Sequence, residues 1–222
     1  MYLALDIETV RNERADDFFN LGYARPDRRY KDPDKIKASL DEQYRKCGLR
    51  WWLAQVCCIT ARLIGPEEKQ FSESNKNEKQ LLTNFADFLE SLNVNYQPIG
   101  KNSKNFDFPM LIGRYLFHDI GVPRSLIRKE RICDVDEIFA PYSRNDQTTS
   151  LKNYAWGLGL QGKLDGQDGS TVQEWYDNDD LSTMENYCMR DTEIVSEILN
   201  RFRIYRKEQP NDFMNIRQGI EL

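Results

Sequence analysis

Two acidic side chains stand one residue apart near the start of the chain, in the segment Leu3-Ala4-Leu5-Asp6-Ile7-Glu8-Thr9. Successive side chains of an extended strand alternate between its two faces, so Asp6 and Glu8 share one face while Leu5 and Ile7 take the other. Two neighbouring carboxylates repel each other, and a divalent cation is the simplest partner that would hold such a pair against a core. The alternative is a pair of acids at a solvated strand end.

A third carboxylate, Asp107, lies in the segment Gly100-Lys101-Asn102-Ser103-Lys104-Asn105-Phe106-Asp107-Phe108-Pro109-Met110-Leu111. A strand is predicted to end here and to lead through a loop into a helix, and side chains at such a position can point into a cleft beside the sheet. The structural alternative is a helix N-cap, because an Asp that precedes Pro109 often begins a helix. The sequence favours neither interpretation.

The fourth carboxylate, Asp191, follows Tyr187 by four residues in the segment Glu185-Asn186-Tyr187-Cys188-Met189-Arg190-Asp191. Residues four apart lie on the same face of a helix, so the phenol and the carboxylate are predicted to be neighbours. The alternative is that Tyr187 packs in the core while Asp191 is solvated. If the functional interpretation holds for all four acids, they converge on a single site.

The order of the predicted elements indicates an α/β fold with a mixed β-sheet flanked by helices. Besides the first strand, the sequence predicts strands at Leu53–Leu63, Lys69–Ser72, Tyr96–Gly100 and Arg131–Val135. It predicts helices from Asn77, at Phe106–Phe117 with Met110, Leu111, Tyr115 and Leu116 facing inward, at Ser150–Trp156 and at about Leu181–Arg206. The segment Arg11–Arg50 is polar and basic, with a short helical pattern at Ile36, Leu40 and Tyr44. It is predicted to be an insertion between two strands of one sheet.

The length and charge of the chain set limits on its class. With 222 residues it is predicted to form one domain over 1–222, with the insertion at about 11–50. The net charge of −5 disfavours simple charge-driven binding to nucleic acid, although bound divalent ions would reverse the local sign. Two basic clusters are either solvated faces or phosphate tracks: Arg25, Arg28, Arg29, Lys31, Lys35 and Lys37, and Arg124, Arg128, Lys129 and Arg131.

The cysteines and the apolar segments bear on the compartment. Five cysteines, without any C-x-x-C spacing, favour reduced thiols and therefore a cytoplasmic protein. The chain enters a strand directly and has no apolar stretch of membrane-spanning length, so we expect neither secretion nor membrane insertion.

The three acidic segments, in this order, resemble the three exonuclease motifs of the DEDD superfamily of 3′-to-5′ exonucleases. Their spelling is similar to that of the proofreading domains of B-family DNA polymerases, with Asn102 five residues before Asp107 and Phe106 directly before it. Ser150-Leu151-Lys152 and the glycine-containing segment 162–170 are similar to related stand-alone predicted exonucleases. The resemblance covers nearly the whole chain outside Arg11–Arg50 and implies an RNase H-like fold.

The resemblance also implies a role for each site residue. Asp6 would bridge two divalent cations, Mg²⁺ or Mn²⁺; Glu8 and Asp191 would complete the site that activates water; and Asp107 would hold the second ion. Tyr187 would position the water, which places the chain in the Tyr subclass of the superfamily. The phenol has an ordinary pKa near 10, too high for the main base at neutral pH.

Three further residues are assigned to substrate by the same resemblance: Asn102 and Phe106 near the terminal nucleotide, and the Thr9 backbone near the 3′ end. His118 is predicted on the solvent side of its helix, outside the mechanism. The implied reaction is phosphodiester hydrolysis at single-stranded 3′ ends, with DNA favoured and RNA possible, releasing nucleoside 5′-monophosphates. The expected alternatives are an exoribonuclease and a non-catalytic module that binds nucleic acid or protein.

Two expectations concern partners. Because nothing like a polymerase follows Leu222, a polymerase or repair partner would come from another chain. Trp51 and Trp52, beside the insertion, are either packing residues or a platform on which bases stack.

Overall fold

The computed structural model describes residues 1–65, 68–127, 132–140, 148–162 and 169–205, with side chains described as far as Phe202. Its strands are β1 (Tyr2–Arg11), β2 (Ala54–Ile64), β3 (Lys69–Ser74), β4 (Gln97–Gly100) and β5 (Cys133–Asp134). They form one sheet in the order β3-β2-β1-β4-β5. β1 and β3 run antiparallel to β2, whereas β4 runs parallel to both β1 and β5. The predicted mixed sheet is confirmed.

The described α-helices are α1 (Glu13–Asn20), α2 (Pro33–Arg45), α3 (Glu78–Ser91), α4 (Asp107–Phe117), α5 (Val135–Phe139), α6 (Leu151–Gly157), α7 (Val172–Asp177) and α8 (Leu181–Tyr205). Short 3₁₀ turns lie at Lys46–Leu49, Arg124–Leu126 and Gly169–Thr171. Asn77 and Ser150 accept backbone hydrogen bonds at the starts of α3 and α6, which fixes where these helices begin. Arg131 and Arg206 of the predicted elements, Arg128 and Lys129 of the second basic cluster, and residues 163–168 of the glycine-containing segment lie outside the described residues.

The alternation along β1 divides the core between the two faces of the sheet. Leu3, Leu5 and Ile7 pack with buried residues of α3 and α4. Tyr2 and Ala4 pack with α6 and α8 on the opposite face. Helices therefore cover both faces of the sheet, as in the predicted RNase H-like α/β fold.

One predicted inward position of α4 is wrong. Met110, Leu111 and Tyr115 are buried, but Leu116 is 67% exposed. Each helical residue is turned by about 100° from the one before it. Because Leu111 and Tyr115 already face the core, Leu116 lies outside the buried stripe.

The predicted solvent position of His118 is also wrong. Its Nε2 lies 2.7 Å from the Glu78 carboxylate, which also pairs with Arg114 through two contacts of 2.8 and 2.6 Å. The backbone N–H of Val56 donates to the same carboxylate at 2.6 Å. These contacts of the Glu78 carboxylate join α3, α4 and β2. His118 therefore packs against Glu78, a residue 40 positions earlier in the chain, rather than facing solvent.

The segment predicted as an insertion has a small apolar cluster of its own. Ala15 and Cys47 of this segment are buried together with Leu53, which directly precedes β2, and Phe18, Phe19 and Tyr44 pack around them. The predicted helix corresponds to α2, whereas the eight-residue α1 escaped prediction because its turns are mostly polar. The bounds of the insertion and of the single domain stay predictions.

Two further findings concern the thiols and the helices. All five cysteines are buried free thiols. Among the described residues, the helices lack the length and apolar character needed to cross a membrane.

Candidate metal centre and active site

Two carboxylates of β1, those of Asp6 and Glu8, lie past the last residue that pairs with the parallel strand β4. β2 pairs with β1 along its whole length, but β4 pairs only with Tyr2–Ala4. Asp6 and Glu8 follow this paired stretch on the face that α8 covers. The register between β1 and β2 shifts after Glu8, where Cys57 is left as an extra residue, and such a bulge re-aims the side chains around it.

A close approach at Gly100 returns the chain to this strand. A Cβ on Gly100 would lie 2.7 Å from the carbonyl oxygen of Leu5, so only glycine fits where β4 ends. The following loop leads to Asp107, and the backbone N–H groups of Asp107 and Ile7 favour the charged form of its carboxylate, which lowers its pKa. The N-cap of α4 is Phe106, without a side-chain cap bond. Asp107 is therefore not the N-cap but a buried carboxylate that interacts with β1.

Helix α8 brings the third acidic segment across the sheet. The Thr60 hydroxyl of β2 donates to the carbonyl oxygen of Cys188 at 3.1 Å and lies 2.6 Å from the Thr192 hydroxyl. This contact fixes the turn that carries Asp191, which is only 7% exposed. This burial rules out the alternative in which the Asp191 side chain is exposed to solvent. Tyr187 is also buried, and its ring lies 5.4 Å from that of Trp175.

The four carboxylates share one electrostatic environment. Burial, followed by the charges of Asp191, Glu8 and Asp107, raises the pKa of Asp6 well above its ordinary value. Burial also raises the pKa of Asp107 to about 7, with further contributions from Asp134 and Asp191 that its backbone hydrogen bonds partly oppose. The structure therefore brings all four predicted acids together, and their charges destabilise one another.

This arrangement suits hard divalent cations. Mg²⁺ and Mn²⁺ prefer carboxylate oxygens, and a bound cation would reverse the unfavourable local charge. Ligand atoms of Asp6, Glu8 and Cys188 all lie within 4.8 Å of one another. The oxygens of the four acids fit such ions, whereas the Cys188 thiol hydrogen-bonds Asp6 Oδ2 at 3.3 Å.

Cys188 is a site neighbour that the sequence interpretation missed. It lies three residues before Asp191 on α8, so helical spacing was the available signal. Its thiol donates to Asp6, which by itself favours the charged form of that acid. Cys188 therefore connects the helix that carries Asp191 with the strand that carries Asp6.

The three predicted substrate residues lie at the borders of the cluster. The Thr9 hydroxyl donates to the carbonyl oxygen of Gly48 at 2.6 Å, which ties β1 to the predicted insertion. Asn102 is exposed in the loop before α4, with a left-handed φ of 59°. Phe106 is half-buried against the core beside Asp107. Contact of these residues with a nucleotide stays a prediction.

The loop before α4 is held by an acid that the sequence interpretation did not select. Asp134, 4% exposed at the end of β5, accepts hydrogen bonds from the N–H groups of Asn102 at 3.0 Å and Lys104 at 3.4 Å. It also caps α5 through the N–H of Asp136. The available signal was its position, an Asp at the end of a strand beside β4.

We expect Asp134→Ala to loosen this loop. Loss of a buried hydrogen-bonded carboxylate leaves backbone donors unsatisfied and should lower the free energy of unfolding by about 1–3 kcal/mol. Asp134→Asn keeps an acceptor oxygen and should lose less. Thermal denaturation of the two variants measures the difference. Equal stability of Asp134→Ala and the unmodified protein would contradict the assigned role.

Comparison with known proteins agrees with this fold. A five-stranded mixed sheet with helices on both faces and a buried carboxylate cluster define an RNase H-like α/β protein of the exonuclease type. The family B DNA polymerase from the hyperthermophilic archaeon Pyrobaculum calidifontis superposes with a TM-score of 0.55 at 18% sequence identity. The superposition covers 90% of this chain and 24% of the polymerase chain, so this chain spans about a quarter of that protein's length.

Residues 49–209 match the family described as "predicted 3′-5′ exonuclease related to the exonuclease domain of PolB". Because the match covers most of the chain, the chain belongs to this family. It includes Asp107, Tyr187 and Asp191 but starts after β1, so the assignment of Asp6 and Glu8 rests on the geometry of the cluster. No curated protein matches the chain significantly.

Proposed function

We propose that the protein is a metal-dependent 3′-to-5′ exonuclease that hydrolyses the terminal phosphodiester of single-stranded nucleic acid. The observation that carries this proposal is the convergence of Asp6, Glu8, Asp107 and Asp191, in which burial and neighbouring carboxylates raise the pKa of Asp6 and of Asp107. Carboxyl groups with raised pKa values that share one site are typical of functional sites. Membership in a family of predicted exonucleases supports the same reaction class.

The four carboxylates would hold two divalent cations, Mg²⁺ or Mn²⁺. When bound, such a pair supplies charge neutralisation on the phosphate, a lowered pKa for the attacking water and stabilisation of the leaving oxygen. Asp6 would contribute to both ion positions, since its charge interacts with those of Glu8 and Asp191 as well as with that of Asp107. The thiol of Cys188 holds the Asp6 carboxylate through a hydrogen bond.

Tyr187 would orient the attacking water. It lies one turn before Asp191 on α8, and the contact between its ring and Trp175 restricts its rotation. The phenol would act as a hydrogen-bonding group rather than a base, since its ordinary pKa is near 10. With this role for Tyr187, the proposed enzyme belongs to the Tyr subclass.

We expect Tyr187→Phe to lower the single-turnover cleavage rate about a hundredfold, because a misplaced nucleophile reduces rates by about that factor. Metal affinity, measured by Mn²⁺ titration, should not change. Tyr176→Phe is the matched control, since its hydroxyl contacts Gln55 rather than the carboxylate cluster. Equal rates for the two variants would remove Tyr187 from the mechanism.

The substrate would be an unpaired 3′ end, with DNA favoured over RNA and nucleoside 5′-monophosphates as products. Stacking and phosphate contacts suffice to hold such an end without sequence readout. A polymerase or repair protein in another chain is the proposed partner class. The superposed polymerase, which is about four times as long as this chain, supports this only through its fold.

The experiment that tests the proposal compares 5′-labelled single-stranded DNA and RNA of one sequence with Mg²⁺, Mn²⁺ or EDTA. We expect stepwise shortening from the 3′ end with either ion, none with EDTA, and faster shortening of DNA. Absence of cleavage with both ions, together with tight binding of the same strands, would favour a non-catalytic nucleic-acid-binding module.

A further inference from the structure

A row of half-buried and exposed apolar side chains follows one side of α4, starting at its N-terminal end. Phe106, Pro109, Gly113 and Phe117 are spaced by three or four residues, so they lie along one face of the helix. Gly113 has no side chain, and the Trp51 ring covers it: a Cβ on Gly113 would lie 2.6 Å from a ring carbon. The α4 row is defined here as Phe106, Pro109, Trp51, Trp52 and Phe117.

The two tryptophans of the α4 row are held firmly, yet much of their surface faces solvent. The carbonyl oxygen of Trp51 accepts a hydrogen bond of 3.1 Å from Arg114, which is itself paired with buried Glu78. Trp51 and Trp52 meet edge to face, with their ring centroids 5.7 Å apart. They remain 42% and 44% exposed. Rings fixed in this way lose little conformational entropy when a ligand stacks on them.

Positive charge accompanies the α4 row. The Arg14 guanidinium lies 4.7 Å from the centre of the Phe117 ring, at the far end of the row from Phe106. Arg14 belongs to a stretch, residues 11–52, with 11 Lys and Arg against 8 Asp and Glu, whereas the whole chain has 31 against 36. Exposed aromatic rings next to cations are typical of surfaces that bind single-stranded nucleic acid.

The α4 row begins beside the candidate active site and leads away from it. Phe106 directly precedes Asp107, and the Thr9 hydroxyl is bonded to Gly48, close in sequence to Trp51. From Phe106 to Phe117 the helix rises by about 16 Å, at roughly 1.5 Å per residue. This length equals about five stacked nucleotides, at roughly 3.4 Å each.

We propose that the α4 row binds the single strand upstream of the terminal nucleotide, with bases stacked on Trp51 and Trp52 and a phosphate near Arg14, beside the Phe117 ring that Arg14 and Arg114 cover. This surface would hold the strand without reading its sequence, so that successive 3′ ends reach the carboxylates. The inference rests on the proposed function for the direction of the strand. A protein partner fits the apolar rings but gives no reason for the exposed Arg14 at the end of the row or for the excess of basic residues in 11–52.

Binding is tested in an Asp6→Asn background, which keeps the strand intact. Fluorescence anisotropy of 5′-labelled dT15 should show about tenfold weaker binding when Trp52→Ala is added, since loss of one stacked base lowers affinity by about this factor. Trp156→Ala is the matched control, because Trp156 is 85% exposed on α6 and lies outside the row. Gly113→Ala, which displaces the Trp51 ring without removing it, should also weaken binding.

Cleavage separates this inference from the proposed function. For the active protein with dT15, Trp52→Ala should lower kcat/KM about tenfold and leave kcat at saturation unchanged, while cleavage of dT3 should not change. If Trp52→Ala binds and cleaves dT15 like Trp156→Ala, the α4 row is not a nucleic-acid surface, and the exonuclease proposal stands. If neither the unmodified protein nor any variant cleaves, but Trp52→Ala weakens binding of dT15 and Trp156→Ala does not, the proposed function fails and the binding surface stands.

Discussion

Asp6→Asn should lower the rate of nucleotide release by about a thousandfold or more. Asp6 is the acid whose charge interacts with all three other members of the cluster, so its loss affects both proposed ion positions. Metal-based stabilisation of a transition state is worth several kcal/mol, and each 1.36 kcal/mol corresponds to a factor of ten in rate. Single-turnover cleavage of a 5′-labelled strand with Mn²⁺ measures this effect.

The same substitution should make the metal-free protein more stable. Burial and three neighbouring carboxylates raise the pKa of Asp6, which means that its charged form is unfavourable in the fold. The neutral amide of Asn removes this repulsion, so the melting temperature at pH 8 in EDTA should rise.

Asp87→Asn, at an exposed position of α3, is the control and should change neither rate nor stability. An active Asp6→Asn protein would refute the catalytic assignment. A less stable one would show that Asp6 has a structural role.

Local periodicity was sufficient to predict the acids that share an element. Alternation along β1 placed Asp6 and Glu8 on one face, and the four-residue spacing on α8 placed Tyr187 near Asp191. Both patterns depend only on backbone geometry within one element. Asp107 was left undecided, because the N–H of Ile7 that favours its charged form belongs to a strand 100 residues earlier in the chain.

The features that escaped prediction depend on contacts between distant segments. Asp134 holds the loop before α4 from a neighbouring strand, 32 residues from Asn102. His118 faces Glu78 of α3 rather than solvent, 40 residues away. Cys188 and Asp6 are 182 positions apart, so no local sequence pattern could indicate their contact. Periodicity within a helix or strand gives the face of a residue but not the element packed against that face.

Divalent cations should stabilise the protein strongly at pH 8 and hardly at all at pH 5. The pKa of Asp107 is raised to about 7, against an ordinary value near 4, and the pKa of Asp6 is raised as well. A raised carboxyl pKa contributes stability that is fully present below the ordinary value and is lost as pH rises through the folded value. Without metal, the free energy of unfolding should therefore fall as the pH rises. The part due to Asp107 should be lost between about pH 4 and pH 7, and the raised pKa of Asp6 acts in the same direction.

Cations bind the deprotonated acids, so the metal effect should increase over the same pH range. At a concentration of about a hundred times Kd, binding adds about 2.7 kcal/mol to the free energy of unfolding. For a chain of this size that raises the melting temperature by roughly 5–10 °C. Differential scanning fluorimetry with Mn²⁺ or EDTA at each pH measures the rise.

Asp107→Asn is the informative comparison, because it removes a carboxyl group with a raised pKa and a proposed metal ligand at the same time. Without metal, this variant should lose less stability than the unmodified protein between pH 5 and pH 8. With Mn²⁺ it should gain less stability at pH 8. If instead Mn²⁺ raised the melting temperature of the unmodified protein equally at pH 5 and pH 8, the ion would bind elsewhere. The carboxylate repulsion would then need an explanation other than metal binding.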